Sequence, residues 1–253
     1  MQRLYVIPVK YQCNADCTFC ITEEAKLHPS FANIKEWLKP EAVAEFCQKF
    51  AALRIKELEI TGGGEPFLNP HLQQIISIFK TAWPSVYIKL YTNGFLLKPI
   101  ADVDELNVSR AHDDTARNNE VFRAKSPVAL AETIAYFRPM VAKLRIQTPL
   151  LLGCIDTAEK AIEMIERHPL VDQFVFRPLF SKVNRDKNRY IGFSVAHPRA
   201  KNDVTGDYCG DRPVFTSNGK LYWNWNYDRE ATEADIHALN QTLEEFKPIK
   251  VVV

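Results

Sequence analysis

Three cysteines pose the first chemical question. The segment Cys13-Asn14-Ala15-Asp16-Cys17-Thr18-Phe19-Cys20 gathers three thiols in one polar loop, at spacings of four and three, directly after an apolar run. Thiolates are soft ligands that suit zinc or iron–sulfur centres. Iron–sulfur clusters are held by cysteine thiolates, usually four; a cubane given only three keeps one iron open to an outside ligand, and an open iron is a reaction site. A structural zinc site needs a fourth ligand, normally in a second pair, and the nearest histidine, His28, precedes a proline with no such pair. Unpaired structural cysteines are usually buried singly on apolar faces. Spacing and position therefore favour the cluster, and a non-catalytic zinc or redox protein with a structural trio is the rival from another class.

The rest of the composition bounds the setting. The chain has 253 residues, 46% hydrophobic and 25% charged, enough for one sizeable core. A formal charge of +1 gives no global reason to expect a nucleic-acid or anionic-membrane partner. No apolar run reaches the length of a membrane span, and the trio followed by the scattered Cys47, Cys154 and Cys209 is not a disulfide framework, so a cytoplasmic location is expected. Those isolated cysteines also leave no thiols for an auxiliary cluster.

The elements that must position the trio alternate β-rich runs with amphipathic runs, the pattern of parallel strands joined by crossover helices. Strands are expected at Leu4–Val9, Glu57–Thr61, Val86–Tyr91, Glu105–Ser109, Lys143–Leu152 and Phe174–Pro178. Helices are expected from Pro40 (stripe Val43, Phe46, Cys47, Phe50), from Asn69-Pro70 as cap and first turn (face Leu72, Ile75, Ile76, Phe79), around Val128–Phe137, and from Asp156 as cap through Arg167. A closed eight-unit barrel takes about 250 residues, and only the first 180 carry the repeat. The expected fold is α/β: a partial (β/α)6 TIM-like barrel over residues 1–180, with residues 181–253 a C-terminal extension containing a β-hairpin around Asn218-Gly219 and a helix, Glu233–Phe246.

Further candidates sit at the carboxyl ends of these strands, where barrel enzymes place their chemistry. Thr61-Gly62-Gly63-Gly64-Glu65-Pro66 ends the second strand; it is either a turn that needs glycine or one that brings backbone and a carboxylate to a bound ammonium. Asn93 ends the third strand, Ser109 the fourth, with Arg110 and His112 weaker, and Arg177 the sixth, as a carboxylate clamp or the partner of a surface acid. His112, beside Asp113 and Asp114, also reads as a capping residue, and Cys154 as a packed thiol.

Cys13-x-x-x-Cys17-x-Phe19-Cys20 after a first barrel strand resembles the signature of the radical S-adenosylmethionine superfamily, with Phe19 at its aromatic position. The resemblance implies one four-iron four-sulfur (4Fe-4S) cluster on Cys13, Cys17 and Cys20, with S-adenosyl-L-methionine on the fourth iron, cleaved by one electron to a 5′-deoxyadenosyl radical that takes a substrate hydrogen. It implies contacts to the cofactor from Phe19, Gly63, Gly64, Glu65, Pro66, Asn93, Ser109 and Arg177. It implies an electron donor such as flavodoxin or ferredoxin and a small-molecule, nucleotide or peptide substrate. A glycyl-radical-enzyme activase and a relative of the 7-carboxy-7-deazaguanine synthases are alternatives, the latter weakened by Ile21 before Thr22. The extension is expected to close the substrate side, because a reactive radical needs water excluded. Tyr208, Tyr222, Trp223, Trp225 and Tyr227 could form a lid or a plain apolar seal. The basic stretch Lys182, Arg185, Lys187, Arg189, Arg199 and Lys201 could hold a phosphate or an acidic reductase, or solvate a loop.

Overall fold

The computed structural model describes residues 3–10, 12–20, 36–51, 53, 55–178, 191–203, 213–222, 230–232 and 235. Within them the chain runs β1 (Arg3–Val6), α1 (Pro40–Lys49), β2 (Glu57–Ile60), a 3-10 turn (Pro66–Leu68), α2 (Leu72–Ala82), β3 (Tyr87–Thr92), β4 (Glu105–Ser109), α3 (Thr115–Phe122), α4 (Leu130–Phe137), a second 3-10 turn (Arg138–Met140), β5 (Lys143–Pro149), α5 (Ala158–Arg167), β6 (Gln173–Arg177), β7 (Ala200–Asn202), β8 (Val214–Phe215) and β9 (Leu221–Tyr222). No helix among the described residues is long and apolar enough to cross a membrane.

The described strands form one open sheet in the order β7-β6-β5-β4-β3-β2-β1-β8-β9, parallel except for the β8–β9 hairpin. Sequential order with crossovers of one hand sends the connecting helices α1, α2, α4 and α5 to the same side of the sheet. The alternation along the strands follows from that. Leu4, Val6, Leu58, Ile60, Ile88, Leu90, Leu106, Val108, Leu144, Ile146, Phe174 and Phe176 pack with the apolar stripes of α1, α2, α4 and α5 in one core. The intervening residues, among them Glu57, Glu59, Lys89, Tyr91, Glu105, Asn107, Arg145 and Gln147, line the opposite wall, in a register that sets Glu59 beside Lys89 and Lys89 beside Glu105. A parallel sheet with apolar layers on both faces would read as continuous apolar runs; this one has an apolar face and a polar one, with Glu105 and Asn107 buried on the polar side.

Several expectations are corrected in detail. Asn69 does not cap α2: its amide donates to Pro8 O (2.9 Å) and Leu38 O (3.0 Å) and its Oδ1 accepts from His71 N (2.8 Å), which ties the turn after β2 to the end of β1. Thr157, not Asp156, caps α5, accepting from Lys160 N, while Asp156 accepts from Gly153 N and pairs with the Lys160 ammonium. Helix α3 was not expected. It has only Val121 and Phe122 as buried apolar residues, too few for a visible stripe, and its one signal is Asp114, which caps it through Arg117 N (2.9 Å).

The described parts of residues 181–253 belong to the same sheet: β7 extends it beyond β6, and the expected hairpin forms with β8 lying parallel to β1. Arg199 donates to Ile165 O, His168 O and Val171 O, adding a side-chain donor to the turn that follows α5. Lys182, Arg185, Lys187, Arg189, Tyr208, Cys209, Trp223, Trp225, Tyr227 and nearly all of the helix expected over Glu233–Phe246 lie outside the described residues.

Candidate functional site

The cysteine loop leaves β1 and is held from two sides. On one side α3 ends with carbonyls that have no partner inside the helix, and the loop supplies the donors: Thr18 N to Val121 O (2.9 Å) and Asp16 N to Phe122 O (3.0 Å), with Lys125 N returning to Asn14 O (3.1 Å). Beneath these bonds Cys17, Phe19 and Ala15 pack on a second apolar cluster of Phe95, Ala111, Val121, Phe122, Leu151 and Cys154. Phe19 meets Phe122 edge-on at 5.2 Å, so its ring is an anchor of the loop. Cys154 is fully buried there, a packed thiol as expected, and Cys47 is buried on α1.

On the other side lies the glycine segment. Gly63 has φ +71, and a Cβ on it would stand 2.2 Å from Val9 O; a Cβ on Gly64 would stand 2.1 Å from Gln12 O. Both glycines thus admit the chain that carries the cysteines, and Glu65 N completes the contact with a bond to Gln12 O (2.9 Å). Pro66 opens the short 3-10 turn that follows and is buried.

Glu65 is only 2% exposed and accepts from Phe67 N (3.1 Å), Thr92 Oγ1 (2.8 Å) and Asn93 N (2.8 Å). Burial pushes its carboxyl up, against those hydrogen bonds and the charge of Arg110. Its contacts join the rim after β2 to the rim after β3. Asn93 then reaches the cysteine loop, donating to Asn14 Oδ1 (2.7 Å) and lying 3.6 Å from Cys13 Sγ. Arg110, 1% exposed, donates to the carbonyls of Asn93, Gly94 (3.2 Å) and Ser109 (3.0 Å) and to Thr133 Oγ1 (2.9 Å), with its guanidinium 4.4 Å from the Phe95 ring centre. Burial pulls it down to about 9, opposed by Glu65, so it stays charged at neutral pH.

The three cysteines lie close enough for charge on Cys20 to act on both Cys13 and Cys17. Burial raises Cys17 well above the ordinary thiol range, and ionisation of Cys20 or Cys13 would raise it further. Cys13, although exposed as a residue, is pushed up to about 11, first by the desolvation of its thiol and also by Glu65 and Cys20, eased by the Ala15 backbone and Asn93. Such thiols ionise when a metal takes the proton's place. Among the described residues no three His, Cys, Asp or Glu side chains converge on a single ion point. Ligands of a cubane each take a different iron, so they need a shared space and not a shared point; the donor set fits a cluster better than a mononuclear zinc.

The remaining candidates fall elsewhere. Ser109 is half-buried at the end of β4, in register with Gln147. Arg177 closes on Asp203, with Nε at 2.9 Å and Nη2 at 2.8 Å from Oδ2, the acid-pairing alternative. The His112 Nδ1 accepts from Asp114 N (2.9 Å), the turn-capping alternative, and burial lowers its pKa despite Asp113. Sequence reasoning underrated Arg110 and missed α3 with Asn118, whose Oδ1 accepts from Ala111 N (2.9 Å).

The chain is similar in sequence and in fold to known proteins. The family model described as the Radical SAM superfamily matches residues 7–138. A GTP 3',8-cyclase of Helicobacter pylori (strain HPAG1) is 26% identical over 206 residues, which are 79% of this chain and 58% of that protein. The chain thus spans well under two thirds of that relative's length. By fold, Streptococcus suis SuiB bound to precursor peptide SuiA superposes with a TM-score of 0.66 at 12% identity, over 97% of this chain and 67% of that one. Native anSMEcpe with bound AdoMet gives 0.62 at 14% identity, over 96% and 83%. With the family match spanning the cysteine loop, the glycine segment and the rims after β3 and β4, the chain belongs to the radical SAM superfamily, which implies a 4Fe-4S cluster and S-adenosylmethionine as its cofactors.

Proposed function

We propose that this chain is an enzyme that starts its reaction by removing a hydrogen atom from a substrate carbon, and that the substrate is a purine nucleotide. Cys13, Cys17 and Cys20 hold the cluster, and the rims carrying Gly63, Gly64, Glu65, Pro66, Asn93 and Ser109 lie beside S-adenosylmethionine. The observation that carries this reading is three neighbouring cysteines on a loop whose backbone is bound to both α3 and the glycine segment. When bound, the cluster and S-adenosylmethionine supply a 5′-deoxyadenosyl radical.

The chain's own residues prepare the place. The cysteine loop is pinned by backbone bonds on both flanks, so its thiols are preorganised for iron. On the polar wall the half-buried Ser109 and Gln147, side by side at the ends of β4 and β5, offer hydroxyl and amide contacts to a nucleotide's base or ribose. The β8–β9 hairpin sits against β1 through Ile7 N to Phe215 O (2.8 Å), at the root of the cysteine loop. We take residues 181–253 as the unit that closes the substrate side and excludes water. A flavodoxin or ferredoxin is the proposed electron donor. The nucleotide is favoured over a peptide or another small molecule because relatives named GTP 3',8-cyclase match by sequence, whereas the peptide-bound neighbour shares the fold alone.

Anaerobic reconstitution followed by dithionite addition tests the reading. The expected result is a brown protein that forms 5′-deoxyadenosine from S-adenosylmethionine, and deuterium from ribose-deuterated GTP in that product. Tightly bound zinc with no cleavage would sink the radical chemistry; cleavage with label arriving only from deuterated peptides or other metabolites would sink the nucleotide.

A further inference from the structure

Every polar atom of Asn93 has a partner. The backbone N–H donates to Glu65 Oε2 and the carbonyl accepts from Arg110 Nη1. The side-chain Oδ1 accepts from Phe95 N at 3.0 Å, while Nδ2 donates to Asn14 Oδ1 at 2.7 Å with Cys13 Sγ at 3.6 Å. The orientation of the amide follows from chemistry. Phe95 N–H can only donate, so the oxygen end must face it and the NH2 end must face the sulfur. A turn of this kind is normally held by its own short-range bonds. Here two opposite charges, both almost fully buried, grip the same residue from either side. Both are costly to bury, and their shared outcome is one amide aimed at one thiol.

We propose that Asn93 tunes the reduction potential of the bound cluster through a hydrogen bond from its amide to the Cys13 sulfur, with Glu65 and Arg110 as the positioning residues that hold it there. This rests on the cluster reading above. A thiolate that accepts a hydrogen bond passes less negative charge to iron, so the extra electron of the reduced cluster is better tolerated and the potential rises. Cys17 packs on the apolar cluster and meets a backbone N–H, whereas Cys13 takes the Ala15 backbone and, in addition, the Asn93 side-chain amide. The Cys13 corner is therefore where an amide sets the electronics.

The test is a redox titration of the reconstituted full chain, followed by the electron paramagnetic resonance signal of the reduced cluster, with iron and sulfide counted in parallel. Asn93→Ala should keep its iron and show about a tenfold lower ratio of reduced to oxidised cluster at fixed potential, a shift of about 59 mV for one electron. Arg110→Lys keeps the charge but loses the planar fork, and should shift the potential the same way. A full iron load with the unaltered potential in Asn93→Ala overturns the proposal. If Asn93→Ala takes up no iron, Asn93→Ser and Asn93→Asp replace it, since both keep an oxygen for Phe95 N–H. The expected order is then unaltered chain above Ser above Asp, and equal potentials overturn the proposal. An unaltered chain that assembles no cluster removes the underlying reading, and this one with it.

Discussion

Charged residues do opposite work at the rim and on the floor of the same sheet. On the floor, charges pair with one another: Arg3 with Glu57 and Glu59, Lys89 with both glutamates, and Glu105 with Arg145 at 2.7 Å and Lys143 at 3.5 Å. At the rim, Glu65 and Arg110 spend their hydrogen bonds mostly on backbone, on N–H and carbonyl groups of a segment that has left the strand ladder. A floor charge neutralises a neighbour inside regular structure. A rim charge replaces the ladder where the chain must turn toward the cysteines, so its loss should strike the loop and not only the stability.

The comparison breaks most completely at the thiols. Replacing any one of Cys13, Cys17 or Cys20 by alanine should abolish dithionite-dependent 5′-deoxyadenosine formation and the visible chromophore, because the other described thiols, Cys47 and Cys154, are buried in apolar clusters. Full activity in any single variant would refute the assignment.

Next in size is the rim clamp. Arg110→Leu removes the positive charge that acts on Glu65 and strips donors from four carbonyls. A buried acceptor left without its donor costs ~1–3 kcal/mol, so the Tm should fall by roughly 2–12 °C for each such carbonyl at ~2–4 °C per kcal/mol, with iron content falling in parallel. An iron load at the unaltered level despite the lower Tm would show that rim and loop are uncoupled.

Gly64→Ala sharpens the same point with a smaller push. Its Cβ would stand 2.1 Å from Gln12 O, and relief of such overpacking costs ~1–3 kcal/mol. Because the backbone that must yield carries the cysteines, iron uptake should drop more than thermal stability does; calorimetry and iron counts on the same sample decide it.

The floor responds to acid. Burial pushes the Glu105 carboxyl up, but hydrogen bonds from Arg145 and Asn107 and the charges of Arg145 and Lys89 outweigh it and hold it below the ordinary carboxylate range. A depressed folded pKa contributes stability that is fully present above the unfolded value of about 4.3 and is lost as pH falls through the folded one. Urea midpoints should therefore drop on acidification below about pH 4 in the unaltered chain and less steeply in Glu105→Gln. Equal slopes would mean that the pairing adds nothing.

The smallest effect is expected at His112. His112→Ala removes one acceptor for Asp114 N, worth ~0.5–1.5 kcal/mol, and should leave 5′-deoxyadenosine formation unchanged in the same cleavage assay.

Local pattern determined much of this molecule. Period-two runs gave six parallel strands, and the stripes Val43–Phe46–Cys47 and Leu72–Ile75–Ile76–Phe79 gave helices that bury those very faces. The same holds for the Asn218-Gly219 hairpin and for the trio itself, since thiol spacing is a short-range property. What sequence could not show are the partners reached across the sheet. Helix α3 has too few apolar residues to announce itself, yet its terminal carbonyls hold the cysteine loop. Asn69 resembles a helix cap in sequence but is drawn to Pro8 and Leu38. Arg110 is one of 32 Lys and Arg residues by composition, and only closure of the rims buries it against Asn93, Gly94 and Thr133. Elements follow from periodicity within a dozen residues; the site follows from hydrogen bonds made between segments that tertiary packing alone brings together.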